Sequence, residues 1–168
     1  KVPWNHIAIS GHALDPKGKK MSKSKGNVID PRKVLEQYGA DALRFWAASS
    51  KLGEDVPFQE KELVAGKRMV TKLWNAAKFC MLQLGGYKGE KPKKYAHVDK
   101  WILSKLQQVI TECTESFAAH EYSRTKAETE KFFWHIFCDN YLELVKDRLY
   151  AKDRYSKDEI ISVQYTLH

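Results

Sequence analysis

From Leu63 to Leu84 the apolar residues Leu63, Val70, Leu73, Trp74, Ala77, Met81 and Leu84 return at helical spacing, and Gly85-Gly86 stop the run. A stripe of that length demands a helix, and an amphipathic helix demands partners for its apolar face. Three further patterns of the same kind follow. After the basic, Pro- and Gly-containing linker "YKGEKPKKYAH", Asp99 opens a helix along Ile102, Leu106, Val109, Cys113 and Phe117. Another begins near Ser123 and carries Phe133, Phe137, Tyr141, Leu144 and Val145. A fourth opens at "SKDE", where Ser156 and Glu159 have capping-box spacing. The expected fold class is mainly α, with these helices forming an antiparallel bundle, and Trp46, Trp74, Trp101 and Trp134 fall on the apolar stripes of their own helices, where core packing is expected.

The first third of the chain reads differently. His6–Ile9 is a short, partly alternating apolar run that ends at Ser10-Gly11, as a strand entering a turn does. Asp30 then caps a helix with Pro31 at its first position, and Gly39 closes it after "RKVLEQY". A second short helix runs from about Ala40 to Ser49. The strand has no sheet partner in the sequence and the last helix has no stop signal. Both facts lead us to expect a piece of a larger protein: the end of an α/β domain followed by most of a helical bundle.

The 168 residues are 43% hydrophobic, enough for a core, and carry a formal charge of +8. That excess of Lys and Arg points to a polyanionic partner such as nucleic acid. No apolar run approaches the roughly 20 residues that cross a bilayer, so a soluble chain is expected. Cys80, Cys113 and Cys138 lack the spacing of a disulfide framework or a zinc site and are read as free thiols on helix faces, in keeping with a reducing compartment.

The stretch "DPKGKKMSKSKGNVIDP" from Asp15 to Pro31 places five lysines between Lys17 and Lys25 and laces them with serines and glycines. It is too polar for core and has the small donors of a loop built to meet phosphate. It is not a Walker A loop, because Gly11 and Gly18 are separated by six residues and Lys19 is followed by Lys20. As an arbitrary basic run it would also suit a nuclear-localisation signal.

The order of the residues carries more. Lys20-Met21-Ser22-Lys23-Ser24, continued by Lys25-Gly26-Asn27 and flanked as "GHALDPKGKKMSKSKGNVIDP", resembles the signature loop of class I aminoacyl-tRNA synthetases. "YGADALRFWAASS" and "GEDVPFQEKELVAGKRMVTKLWNAAKF" resemble the valyl branch of that family, and "FFWHIFCDNYLELVKDRLY" is similar to the anticodon-binding bundle of the valyl, isoleucyl and leucyl enzymes. Two departures stand out. Asn140 sits where that bundle helix commonly has tryptophan, and the family's His-x-Gly-His signature is missing.

The resemblance implies that residues 1–57 are the end of a class I nucleotide-binding catalytic domain, with the loop and two helices that contact the inner side of the tRNA. It implies that residues 58–168 are a helical anticodon-binding bundle, truncated at its C-terminus. The implied reaction activates valine as the adenylate at the expense of ATP and transfers it to tRNA(Val) in the cytoplasm. The valine pocket lies outside this chain, which alone is expected to be inactive. Mg2+ is expected only as the counter-ion of ATP, and no metal ligands are assigned. Because the attacking carboxylate is already ionised, such catalysis consists of positioning and of stabilising charge on the departing pyrophosphate. By the same resemblance the ATP-binding residues are Lys20, Met21, Ser22, Lys23 and Ser24. Lys23 contacts the phosphates with Lys20 assisting, the serines hold the loop's shape, and Met21 anchors it. Gly18 and Gly26 are read as the flexible ends of the segment.

Lys17, Lys19 and Lys25 are read as solvated charges. Tyr87, Tyr95 and Tyr122 are the candidates for stacking on bases, and Lys67, Arg68, Lys72, Arg124, Lys126, Lys131, Lys146 and Arg148 the candidates for facing phosphates. Two alternatives stay open: an isoleucyl or leucyl enzyme fragment, and a non-catalytic basic helical RNA-binding module.

Overall fold

The computed structural model describes residues 11–168. The strand expected at His6–Ile9 lies outside them. The described chain forms β1 (Ala13–Leu14), α1 (Pro31–Tyr38), α2 (Ala40–Ala47), β2 (Val56–Pro57), α3 (Glu60–Gln83), α4 (His97–Ala118), α5 (Tyr122–Lys131), α6 (Leu142–Tyr150) and α7 (Lys157–Leu167). It divides into two compact units, residues 11–72 with Thr114–Ala127, and Leu73–Cys113 with Glu128–His168.

In the first unit β1 and β2 pair in parallel, Ala13 opposite Val56 and Leu14 opposite Pro57. The Val56 N–H donates to the His12 carbonyl and the Phe58 N–H to the Leu14 carbonyl, each at 2.9 Å. The segment just beyond the expected strand thus finds a partner within this chain, at Val56–Pro57. Gly11 is what lets the two backbones meet, since a Cβ there would lie 2.0 Å from the Glu54 carbonyl oxygen.

The first two helices follow their end signals. The Asp30 carboxylate accepts from the Arg32 N–H at 3.0 Å, satisfying one of the free donors of the first turn, and Pro31 fills the position where its missing N–H costs nothing. Gly39, at φ 87°, ends α1 and lets the chain turn directly into α2. Both helices lie against the start of α3. Tyr38 donates a hydrogen bond to the Glu60 carboxylate, and Trp46 meets Phe58 edge-on at 5.7 Å. At Gly66 a Cβ would lie 3.1 Å from the Ala42 carbonyl oxygen, so α2 and α3 approach almost backbone to backbone. Val34, Ala42, Leu63 and Met69 are the buried hydrophobic residues of this unit among those described, and the Lys126 ammonium sits 3.8 Å above the Phe45 ring.

The second unit carries the larger core: Ala76, Ile102, Cys138, Tyr141, Leu142, Val145, Leu149 and Val163. At its centre is a polar knot. Asp99 is completely buried and accepts from Arg148 through both carboxylate oxygens, from the Tyr141 hydroxyl at 2.9 Å and from the Ser162 hydroxyl at 2.5 Å. Ser162 in turn accepts from the Ala96 N–H at 3.0 Å, which fixes the start of α4. Arg148, a candidate for facing phosphates, is therefore a core residue. Burial alone would lower its basicity, but the bonds and charge of Asp99 outweigh that and raise it.

The helix expected from near Ser123 through Val145 is three pieces. α5 passes into a π-helical segment, Phe132–Tyr141, before α6 resumes the α pattern. The Asn140 side chain donates to the His135 carbonyl inside that segment at 2.5 Å. α7 starts as expected: Ser156 and Glu159 form a reciprocal capping box. Trp74 departs from expectation, at 73% exposed rather than packed, and with Met81 and Leu82 it forms an apolar face on the second half of α3. Of the thiols, Cys138 is buried while Cys80 and Cys113 are half-buried. Among the described residues no helix is long and apolar enough to cross a membrane.

Candidate functional site

The lysine–serine loop hangs from β1. Asp15-Pro16-Lys17-Gly18 is a tight turn with Pro and Gly at the positions such turns favour, closed by the Gly18 N–H donating to the Asp15 carbonyl at 2.9 Å. The chain then doubles back, and Lys20 bridges antiparallel to Leu14. Ser22 opens a single 3-10 turn, Lys23–Lys25: its hydroxyl accepts from the Lys25 N–H at 3.3 Å and lies 3.1 Å from the Ser24 hydroxyl. Gly26 closes the turn at φ 67° and Gly18 sits at φ 73°, so both glycines occupy left-handed backbone at the two ends of the lysine run.

The side chains sort by exposure. Lys20, Lys23, Ser24 and Lys25 are exposed, and Met21 and Ser22 are half-buried. Met21 turns inward, its thioether sulfur accepting from the Ile29 N–H at 3.5 Å. Among the described residues none of the five loop lysines is locked into an ion pair with a carboxylate. The Asn27 amide at Asp15 and the His12 N–H at Asp55 hold these two carboxyls below the usual carboxylate range, with Lys19 and Lys20 respectively adding a smaller attraction. The outcome is a short loop of defined backbone from which several ammonium groups project into water. Chemically it can offer mobile donors to a polyphosphate, and it contains no group placed to take a proton from a nucleophile.

One part of the loop was not read from the sequence. Asp15 is buried beneath the lysines, and Asn27 faces it: the Asn27 amide donates to the Asp15 carboxylate at 2.9 Å and to the Lys20 carbonyl at 3.2 Å, while its oxygen accepts from the Ser22 N–H at 2.9 Å. The other oxygen of Asp15 accepts from the Lys17 and Lys19 N–H groups. These bonds, that of Asn27 foremost, depress the Asp15 pKa. The Asp-Pro-x-Gly turn was the available signal for Asp15, and nothing local pointed to Asn27.

The nucleic-acid candidates divide. Tyr87, Tyr95 and Tyr122 are half-buried and held in edge-on contacts with His168, with Tyr165, and with Phe117 and His120 respectively. Lys67 and Arg68 are exposed on α3, and Lys146 is paired with Glu143 at 2.6 Å. In the first unit a groove of about 730 Å³ runs between the end of α2 and the α4–α5 turn, lined in part by Lys51, Leu52, His120, Tyr122 and Arg124. Its cations sit in exposed pairs, Lys51 with Glu54 and Arg124 with Glu121, of the kind that exchange readily for a phosphate.

Comparison with known proteins identifies the family. Residues 1–59 match the family of class I tRNA synthetases (I, L, M and V), and residues 99–168 match the anticodon-binding domain of tRNA ligases. The fold is similar to that of a chain in the ternary complex of Agrobacterium radiobacter K84 agnB2 LeuRS–tRNA–LeuAMS, with a TM-score of 0.66 at 19% identity, covering 94% of this chain and 19% of that one. The chain belongs to the class I tRNA synthetases, as a catalytic-region segment joined to an anticodon-binding segment. Within that class it is similar to valine–tRNA ligases. It is 50% identical to that of Ehrlichia canis over 99% of the chain, and 45% identical to those of Picrophilus torridus and a Wolbachia of Brugia malayi over 88% and 99%. The chain spans about a fifth of the length of these relatives, 19–21%.

Proposed function

We propose that this chain is the part of a cytoplasmic valine–tRNA ligase that stabilises the triphosphate of ATP and holds the tRNA. The observation that carries the reading is the loop itself: exposed Lys20 and Lys23 on a backbone fixed by Ser22, Gly26 and an inward-facing Met21, within a sequence half identical to a valine–tRNA ligase. In this reading Lys23 contacts the β and γ phosphates, Lys20 assists, and Ser22, Ser24 and Met21 set the loop's shape. The ammonium groups stabilise the charge that gathers on pyrophosphate as the valine carboxylate attacks the α-phosphate. Mg2+ accompanies ATP as its counter-ion and takes no ligand from this chain. Residues 1–57 act as the end of the catalytic domain and residues 58–168 as the anticodon-arm bundle, with tRNA(Val) as partner.

The test is amino-acid-dependent ATP–pyrophosphate exchange by the complete polypeptide containing this segment, run separately with valine, isoleucine, leucine and methionine. Exchange strongest with valine is expected, falling about 10²–10³-fold in Lys23→Ala, the usual cost of one transition-state donor. Strongest exchange with another amino acid overturns the valyl assignment. No exchange with any of them, together with tRNA binding that is steeply salt-dependent and indifferent to tRNA identity, replaces the enzyme by an RNA-binding module.

A further inference from the structure

Five ammonium groups within nine residues repel one another, and a glycine-bounded loop carrying them would by itself spread into water. Here it does not spread, and the reason is a carboxylate placed underneath. Asp15 is 6% exposed and uses both oxygens: Oδ1 accepts from the Lys17 and Lys19 N–H groups at 2.9 and 2.8 Å, and Oδ2 accepts from the Asn27 amide at 2.9 Å. Asn27 is itself fully engaged across the loop, donating to the Lys20 carbonyl at 3.2 Å and accepting from the Ser22 N–H at 2.9 Å. The backbone groups gripped in this way belong to Lys17, Lys19, Lys20 and Ser22, and Ser22 is the residue that starts the turn bearing Lys23. Asp15 precedes the lysine run and Asn27 follows it, so the pair closes the loop at its neck.

We propose that Asp15 and Asn27 are positioning residues for the triphosphate: their clasp holds the backbone from which Lys20 and Lys23 reach, sparing the loop the cost of ordering its backbone at each turnover. This rests on the adenylation reading given above. The clasp acts through the lysines, because neither the Asp15 carboxylate nor the Asn27 amide has a donor left to offer ATP. A carboxylate facing phosphate directly would repel it, whereas one spent on backbone N–H groups beneath the loop does not.

Chemistry specifies the variants. Asn27→Asp removes both amide donors and sets two carboxylates face to face. Asp15→Asn keeps an acceptor for the Lys17 and Lys19 N–H groups but turns an amide toward Asn27. The exchanged pair, Asp15→Asn with Asn27→Asp, restores one donor–acceptor contact at the neck and leaves only the Lys20 carbonyl facing an oxygen.

The experiment has two arms. In this chain, amide hydrogen exchange of Lys17, Lys19 and Ser22 is compared among the variants, with the Tyr141 and Val145 amides of the second unit as internal standards. In the complete polypeptide, valine-dependent ATP–pyrophosphate exchange is measured for the same variants, each also in a Lys20→Ala/Lys23→Ala background. The expected result is faster exchange of the loop amides with the standards unmoved. Alongside it the rate should fall about 10²-fold in either single variant, the cost of ångström-scale misplacement, with partial recovery in the exchanged pair and little further loss once the lysines are gone. An unchanged rate, an equal loss with and without the lysines, or unmoved loop amides overturns the proposal. Absence of valine-dependent exchange in the unsubstituted polypeptide overturns the adenylation reading and the positioning role with it, while the amide rates still report whether the clasp shapes the loop.

Discussion

Arg148 grips Asp99 with two parallel bonds, Nη2 to Oδ1 at 2.6 Å and Nη1 to Oδ2 at 2.8 Å, and both side chains are sealed from water. The pair joins the first turn of α4 to α6, and the hydroxyls of Tyr141 and Ser162 complete the carboxylate's shell. Burial and the neighbouring Asp99 charge together push the Tyr141 phenol far above its usual value, so it remains a donor at every accessible pH.

Removing one partner leaves an uncompensated group in the core. Asp99→Asn and Arg148→Met are each expected to lower stability by about 3–5 kcal/mol, read from urea or thermal unfolding. The double substitution Asp99→Asn/Arg148→Met should cost less than the sum of these singles, because no charge is then stranded in the core. Additive losses would show that the two side chains act independently.

The capping box at α7 predicts a smaller, local effect. Ser156 accepts from the Glu159 N–H at 3.3 Å and the Glu159 carboxylate accepts from the Ser156 N–H at 2.9 Å. Ser156→Ala is expected to cost about 1 kcal/mol, and Ser156→Asp to recover most of it. An alanine variant as stable as the parent would mean that α7 is held by its buried residues Ser162 and Val163 and not by its cap.

Such local features were legible in the sequence because their cause lies within a few residues: Asp30-Pro31 at the start of α1, Gly39 at its end, Ser156 with Glu159 at α7. What was not legible depends on residues far apart in the chain. Asp99 reads as an ordinary acidic residue at a helix start, and only the fold brings it to Arg148, 49 residues away, and to Ser162. Arg148 for the same reason read as a phosphate contact. The π-helical stretch Phe132–Tyr141 was hidden because its apolar residues fit an α-helical stripe about as well. In the loop the lysines announced themselves, whereas Asp15 and Asn27 showed their roles only once the turn had brought them to 2.9 Å.

Gly66 makes a further case of distance overriding local preference. A mid-helix glycine ordinarily costs about 1 kcal/mol relative to alanine, yet here a Cβ would lie 3.2 Å from the Ala42 Cα and 3.3 Å from the Phe45 ring. Gly66→Ala is therefore expected to yield none of the usual gain, because the nearest neighbours are backbone and cannot swing aside. Gly66→Val, which adds more bulk at the same place, should destabilise by about 1–3 kcal/mol in denaturant unfolding. A stabilised alanine variant would show that α2 and α3 can separate freely.

Tyr38 at the end of α1 predicts a titration with a definite sign. Its hydroxyl donates to the Glu60 carboxylate, and that bond, with some desolvation and the carboxylate's charge, pushes the phenol up to about 12 from its ordinary value of 10.0. A phenol whose folded pKa is raised contributes stability that is fully present below the ordinary value and is lost as the pH climbs through the folded one. The link between α1 and α3 should accordingly hold through neutral pH and loosen only between pH 10 and about 12. Tyrosinate absorbance, taken as the difference between the parent and Tyr38→Phe, isolates this one ring from the other tyrosines and should show a midpoint near 12. In Glu60→Gln the same difference titration should fall back toward 10, since the amide accepts a hydrogen bond without a charge to oppose the phenolate. A midpoint indifferent to Glu60 would place the cause in burial and remove this contact from what holds α1 against α3.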